Sequence, residues 1–183
     1  MTTNFKKYTV SALFVALAFA LSSIKIIHLP FGGSVTLFSM LVISLPSHFF
    51  GIKYGFIASV SYSLLQITVD PYIVHPLQVI LDYTIAFSCF GIVGLFGKTD
   101  KGLTIGYIVA CLIRFLSSSI SGYVFFKDYA PEGWNPIIYT LSYNGLYIFS
   151  ECLISLILIF MLSDSGIFEH FRSIISDGSH REE

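Results

Sequence analysis

The segment RFLSSSISGYVFFKDYAPEGWNPIIYTLSYNGLYIFSE (residues 114–151) decides the fold. It places an arginine, a run of serines, an asparagine and a glutamate within apolar segments long enough to lie in lipid. A polar group in hydrocarbon costs several kcal/mol when it has no partner, so such groups usually face a cavity or a partner. The segment therefore indicates both a membrane-embedded fold and the region in which to look for its function.

The composition of the whole chain indicates an integral membrane protein. Of its 183 residues, 55% are hydrophobic and only 11% are charged, and the mean hydropathy is +0.79. A soluble domain carries about 25% charged residues. The formal net charge of −1 argues against a nucleic-acid partner. The three cysteines lie in apolar runs without metal-ligand spacing, so we predict neither a metal nor a cofactor.

Six segments approach the roughly 20 apolar residues that cross a bilayer. They are residues 8–27, 34–50, 54–69, 76–96, 103–126 and 136–162. The second is marginal, because it contains Pro46 and His48. We predict an all-α bundle of six transmembrane helices, forming a single domain over residues 1–183. Its last part, residues 163–183, is predicted to be a polar cytoplasmic tail.

The basic residues set the predicted orientation, because lysine and arginine accumulate on the cytoplasmic side of a membrane. With the amino terminus inside, seven of them fall on that side: Lys6, Lys7, Lys53, Lys98, Lys101, Arg172 and Arg181. Only Lys25 and Lys127 fall outside. We therefore predict that both termini are cytoplasmic.

Polar residues on three predicted helices share one depth. A helix rises 1.5 Å per residue, which places Asp82 about 9 Å from the outer end of its span, and Ser118 and Asn144 about 12 Å from theirs. Tyr83 and Tyr139 lie at comparable or shallower levels. A polar layer in the outer leaflet, with aromatic residues beside it, suits a small, flat, polar or cationic ligand that enters from outside.

Asp82 is the key residue of this layer, and it has two interpretations. A lone carboxylate in an apolar helix must be protonated or meet a positive charge. A ligand cation held by Asp82 and by aromatic faces would provide that charge. Alternatively, Asp82 makes a structural hydrogen bond to a tyrosine or serine of a neighbouring helix.

Arg114 and Glu151 lie level with each other, about 16 Å from the cytoplasmic ends of their spans. We predict an internal ion pair between them, with a structural role or a role in gating.

The small residues Ala12, Ala16 and Ala20 repeat every fourth position in the first span. This spacing allows another helix to approach closely, either within the bundle or on a membrane partner.

The sequence favours a binding protein over an enzyme. No nucleophile has a base at the same depth, so no catalytic residue is predicted. An intramembrane enzyme that uses Asp82 with a tyrosine or Arg114 is the less favoured alternative. The chain also lacks the phosphate-binding loop with which it could hydrolyse ATP itself.

Four elements carry a resemblance to a known family: LPFGGSVTLFSM (29–40), HPLQVILDYTIAF (75–87), IRFLSSSISGYVFFKDYAPEG (113–133) and IIYTLSYNGLY (137–147). Over about residues 8–162, the chain resembles the thiamine-specific S components of energy-coupling factor (ECF) transporters. The resemblance implies a multi-pass protein of the bacterial cell membrane with the S-component fold. It also implies thiamine binding from outside, under a loop that follows the first helix.

The resemblance assigns roles to individual residues. Asp82 matches the acidic residue that faces the cationic ligand, with Tyr83 beside it. Tyr139 and Asn144 match residues that hydrogen-bond the ligand, and Phe126 falls where some members carry a stacking tryptophan.

The resemblance also implies the transport partners. The alanine face of the first span matches the surface that docks on a transmembrane coupling subunit, and that subunit links the S component to two ATPase subunits.

Two departures from the family pattern leave the ligand open. Ser118 stands where members usually carry a histidine, and Phe126 lacks the indole of tryptophan. Either thiamine binds with altered contacts, which is our first choice, or the cavity suits a thiamine precursor such as a hydroxymethylpyrimidine.

Overall fold

Seven helices and one two-stranded sheet account for most of the computed structural model, which describes residues 3–68 and 71–180. The helices are α1 Thr3–Ser22, α2 Ser39–Phe50, α3 Ile52–Gln66, α4 Pro76–Phe96, α5 Asp100–Phe125, α6 Pro136–Asp164 and α7 Ile167–His180. The strands are β1 Lys25–His28 and β2 Ser34–Thr36. Short 3-10 turns lie at Pro30–Gly32 and Lys127–Tyr129.

The structure confirms a mostly helical membrane protein. Helices α1, α4, α5 and α6 are long and apolar enough to cross a membrane. The other two predicted spans correspond to shorter helices, because α2 has 12 residues and α3 has 15. The predicted end of the third span at residue 69 lies outside the described residues, as do residues 181–183 of the predicted tail.

The prediction of an all-α fold is wrong between α1 and α2. The predicted span 8–27 runs into β1, and the predicted span 34–50 begins in β2. These strands pair antiparallel, with Lys25 opposite Thr36 and His28 opposite Ser34. Pro30 cannot continue a helix, and Phe31 adopts a φ of 65° in the turn that joins the strands. We call residues 25–36 the ribbon.

Side-chain caps fix where the long helices begin. The His75 ring, the Thr99 hydroxyl and the Asn135 amide oxygen each accept a hydrogen bond from a backbone N–H two or three residues later. Such caps satisfy donors that the first turn leaves without a partner. Pro76 and Pro136 occupy the first helical position, where a missing N–H costs nothing. Because a helix rises 1.5 Å per residue, the position of each capped start sets how far along α4, α5 or α6 a later residue lies.

The end of the bundle opposite the ribbon is closely packed around Ser47. A Cβ atom on Gly55 would lie 2.2 Å from the Ser47 Cβ, and one on Gly94 would lie 2.2 Å from the Ser47 carbonyl oxygen. Only glycine therefore permits α3 and α4 to approach α2 this closely. The Ser47 hydroxyl accepts a hydrogen bond from the Gly94 N–H at 2.8 Å.

The predicted tail is more ordered than its polarity suggests. Helix α7 packs back on the bundle through Phe168, which is buried. Arg172 donates to the Asp100 carboxylate at 2.7 Å and to the Lys98 carbonyl oxygen at 2.8 Å. Residues 167–172 are thus part of the packed structure.

Candidate ligand-binding site

A cavity of about 140 Å³ lies at the ribbon end of the bundle. The ribbon forms one side, and α3, α4, α5 and α6 contribute the others. Its lining includes all six residues that were predicted to contact a ligand: Asp82, Tyr83, Ser118, Phe126, Tyr139 and Asn144. The side chains that the depth calculation placed in one layer therefore share one cavity.

Asp82 lies in a π-helical stretch of α4, Ile80–Ile85. Such a turn within an α-helix is rare and often occurs at a functional site. The Oδ2 atom of Asp82 accepts hydrogen bonds from Gln78 Nε2 at 2.7 Å and from Ser121 Oγ at 2.8 Å. Its Oδ1 atom makes no hydrogen bond within 3.5 Å to the described residues, and Ser118 is a further polar neighbour of the carboxylate. The carboxylate is thus held in place by one oxygen, and the other remains available to a ligand.

Asn144 joins α6 to α5 beside the cavity. Its Nδ2 donates to the Ser118 carbonyl oxygen at 3.3 Å and to the Thr140 carbonyl oxygen at 3.0 Å, and its Oδ1 accepts from the Tyr147 hydroxyl at 2.9 Å. Gly122 permits this approach, because a Cβ there would lie 2.6 Å from Thr140 Cγ2. Both N–H groups of the Asn144 amide already donate hydrogen bonds. Asn144 can therefore bind a ligand only by accepting a hydrogen bond at the second lone pair of Oδ1.

Aromatic rings surround the end of the cavity nearest the ribbon. Phe31 and Tyr129 have ring centroids 4.5 Å apart, and Phe126 lies 5.8 Å from Tyr72 and 6.0 Å from Tyr129. The hydroxyls of Tyr72 and Tyr129 are 3.3 Å apart, and this hydrogen bond raises the pKa of Tyr72. The Tyr83 hydroxyl accepts from the Tyr72 N–H at 3.1 Å. Flat aromatic faces and the Asp82 carboxylate thus line the same cavity.

Tyr143 attaches the turn of the ribbon to α6. Its hydroxyl donates to the Pro30 carbonyl oxygen and accepts from the Gly33 N–H at 3.0 Å. A Cβ on Gly33 would lie 2.6 Å from the Tyr143 hydroxyl oxygen, so a glycine is needed for this contact. Tyr139, one helical turn earlier, has its ring centroid 6.1 Å from that of Tyr143.

Comparison with known proteins gives consistent results. Residues 8–167 match the family described as Thiamine transporter protein (Thia_YuaJ). The thiamine transporter ThiT of Bacillus subtilis (strain 168) is 35% identical over 150 residues, which cover 73% of this chain and 78% of that protein. This chain belongs to the thiamine transporter protein family.

Two further proteins are similar to this chain. ThiT of Lacticaseibacillus paracasei is 35% identical over 86 residues, which cover 40% of this chain and 43% of that protein. A solved structure described as native-SAD phasing for ThiT from Listeria monocytogenes has a TM-score of 0.78 at 23% identity. It covers 90% of this chain and 96% of that one, so the two share a fold. The family is one of transporters, not of enzymes.

The ion pair predicted between Arg114 and Glu151 is not formed in this family member. The Glu151 carboxylate instead accepts from the Thr36 N–H at 2.9 Å, the Met40 N–H at 3.2 Å and the hydroxyls of Thr36 and Ser39. It therefore ties the root of the ribbon and the start of α2 to α6. Arg114 lies against aromatic rings and makes no ion pair with the residues that the structure describes. Glu151 is directed towards these donors and not towards Arg114.

The small-residue face of α1 is on the outside of this thiamine transporter family member. Ala12, Ala16 and Ala20 are exposed, whereas Ala18 on the opposite side of the helix is buried. The face is therefore not used for packing within the described part of the chain.

The sequence did not predict several residues that line this cavity or hold its lining in place. Gln78 and Ser121 position Asp82, and Tyr143 holds the ribbon. Gln78 precedes Asp82 by four residues and was therefore detectable as its neighbour on one helical face. No group of three or more His, Cys, Asp or Glu side chains suited to a metal occurs within residues 3–68 and 71–180.

Proposed function

We propose that this chain is the S component of an ECF transporter and captures thiamine from outside the cell for ATP-driven uptake. One observation carries the proposal. The Asp82 carboxylate is fixed by two hydrogen bonds on one oxygen, while the other oxygen has no partner among the described residues and lies in a cavity lined by aromatic rings. Membership of the thiamine transporter family supports the same ligand.

Thiamine has the chemistry that this cavity requires. It joins a permanently cationic thiazolium ring to a neutral aminopyrimidine ring, and both rings are flat. A buried carboxylate without a counter-ion is costly, so a cationic ligand offsets the charge of Asp82. Phe126 and the tyrosines beside it offer π faces to a cationic ring. Tyr83, Tyr139 and Asn144 supply hydrogen-bonding groups on the walls.

The position of Ser118 bears on the choice of ligand. Where relatives are expected to carry a histidine ring, this chain has a short hydroxyl, so a ligand ring loses one contact. Loss of one hydrogen bond or stacking contact costs about 1–2 kcal/mol, or roughly tenfold in affinity. A loss of this size weakens binding without abolishing it. Thiamine therefore remains the first candidate ligand, and a hydroxymethylpyrimidine precursor is the second.

Transport requires partners that supply energy. The exposed face of Ala12, Ala16 and Ala20 suits close approach of a helix from the transmembrane coupling subunit. Two ATPase subunits bound to that subunit would hydrolyse ATP. With both termini in the cytoplasm of a bacterial cell, the cavity opens outward.

Calorimetry on the purified protein in detergent tests the proposal. We expect thiamine to bind with a stoichiometry of one and more tightly than hydroxymethylpyrimidine. Mass spectrometry of the small molecule that co-purifies provides an independent identification. Binding of the pyrimidine without binding of thiamine would reassign the ligand, and binding of neither would reject the proposal.

A further inference from the structure

Arg114 lies at the inner end of the cavity. Gly122, Ser118 and Arg114 of α5 line the cavity at intervals of four residues, and Phe126, just after the end of α5, continues the series. The cavity therefore follows one face of α5 for about 18 Å, from the aromatic rings near the ribbon to the guanidinium. Asp82 lies closer to the ribbon, about 9 Å from the start of α4.

The guanidinium of Arg114 has aromatic neighbours but no hydrogen-bond acceptor within residues 3–68 and 71–180. The side chain is only 9% exposed, and its Cζ lies 4.2 Å from the Phe87 ring centroid and 5.9 Å from that of Tyr147. Its Nε is buried without a hydrogen-bond partner. Glu151, the acid predicted to pair with it, is instead bound to the ribbon and α2.

This arrangement leaves a set of donors without acceptors. A guanidinium has five N–H groups and cannot accept a hydrogen bond. Contact with ring faces orients its plane and offsets part of its charge, but satisfies none of the N–H groups. A buried donor without a partner is costly, so the inner end of the cavity favours a ligand group that accepts hydrogen bonds.

We propose that Arg114 is a specificity-determining residue that donates to a hydrogen-bond acceptor at the inner end of the ligand. This inference rests on the proposed function. For thiamine the acceptor is a ring nitrogen of the aminopyrimidine, and the thiazolium lies nearer the ribbon beside Asp82. Arg114 favours the aminopyrimidine end of thiamine and Asp82 favours the thiazolium end, so together they fix the orientation of the ligand.

Calorimetry with three ligands tests this role. The ligands are thiamine and its two mono-deaza analogues, in which one or the other pyrimidine nitrogen is replaced by C–H. We expect wild-type protein to bind one analogue about tenfold to a hundredfold more weakly than thiamine, as for a lost hydrogen bond to a charged group. The Arg114→Met variant should bind thiamine more weakly than the wild type by a similar factor. Its affinity for the analogue that the wild type binds weakly should equal that of the wild type.

Two further variants complete the test. Arg114→Lys keeps the charge but loses the planar fork, so it should retain only part of the discrimination. It also provides the measurement if Arg114→Met does not fold. Arg172→Met, the same substitution at the opposite end of the bundle, should leave thiamine affinity unchanged.

Distinct results would overturn the inference. If wild-type protein binds thiamine and both analogues with equal affinity, Arg114 does not donate a hydrogen bond to a ring nitrogen. If a variant at position 114 weakens all three ligands by one factor, its role is structural, and if it weakens none, it has no role in binding. Failure of the wild type to bind thiamine would instead reject the proposed function.

Discussion

Replacing Asp82 by asparagine isolates the contribution of its charge to ligand binding. Asparagine has nearly the same shape, and its amide oxygen can still accept from Gln78 Nε2 and Ser121 Oγ, which now donate at 2.7 and 2.8 Å. The local structure of α4 is therefore retained while the negative charge is removed.

The magnitude follows from the electrostatics of the cavity. Two unit charges about 4 Å apart attract by about 4 kcal/mol at an effective dielectric constant of about 20. Part of this is offset because the variant no longer buries a lone carboxylate in the unliganded state. We expect a net loss of about 2–4 kcal/mol, which corresponds to roughly 30- to 1,000-fold weaker thiamine binding. The unliganded variant should unfold at the same temperature as the wild type or higher.

Isothermal calorimetry with thiamine and the neutral hydroxymethylpyrimidine separates charge from shape. Asp82→Asn should weaken thiamine binding strongly and leave pyrimidine binding nearly unchanged. Asp100→Asn, a matched substitution at the opposite end of the bundle, should bind both ligands as the wild type does. Thiamine affinity within threefold of the wild type, or equal losses for both ligands, would refute the argument.

Three further substitutions test other parts of the structure. Gly122→Ala places a methyl group 2.6 Å from Thr140 Cγ2, and the overpacking should destabilise the protein by about 1–3 kcal/mol and lower its thermal unfolding midpoint. An unchanged midpoint would show that α5 and α6 are less closely packed than described. Tyr143→Phe removes the hydroxyl that donates to the Pro30 carbonyl oxygen and accepts from the Gly33 N–H. Each lost hydrogen bond weakens the attachment of the ribbon by about 1 kcal/mol. Thiamine should then dissociate about tenfold faster in stopped-flow measurements, and an unchanged rate would contradict a role of the ribbon in retention. Ala16→Trp should abolish uptake by vesicles that contain the coupling and ATPase subunits without changing thiamine affinity, whereas normal uptake would reject the proposed docking face.

The cavity could be predicted from the sequence because helix geometry fixes depth. With the starts of α4 and α6 marked by Pro76 and Pro136, the rise per residue placed Asp82, Ser118 and Asn144 in one layer. The structure brings all three to the lining of one cavity. Depth does not determine the direction in which a side chain points. Arg114 and Glu151 were predicted to lie level with each other and to form an ion pair, yet their partners lie on different elements.

The ribbon could not be recognised from local pattern. Its strands have four and three residues, and the isoleucines of β1 continue the apolar run of α1. A short apolar run fits a helix and a strand equally well. The π-helical stretch that carries Asp82 was missed for another reason. It depends on how α4 packs against neighbouring helices, which no local sequence signal specifies.

The ribbon is attached differently at its two ends, and we expect this difference to decide which end opens first. At its root, Glu151 receives charged hydrogen bonds from two backbone N–H groups and two hydroxyls, whereas at its turn a single neutral phenol makes two bonds. We therefore expect the turn to detach before the root, with Thr36 remaining bound to Glu151. We expect release to be a local event at the turn, where the Tyr143 hydrogen bonds and the contact between the Phe31 and Tyr129 rings contribute to the barrier.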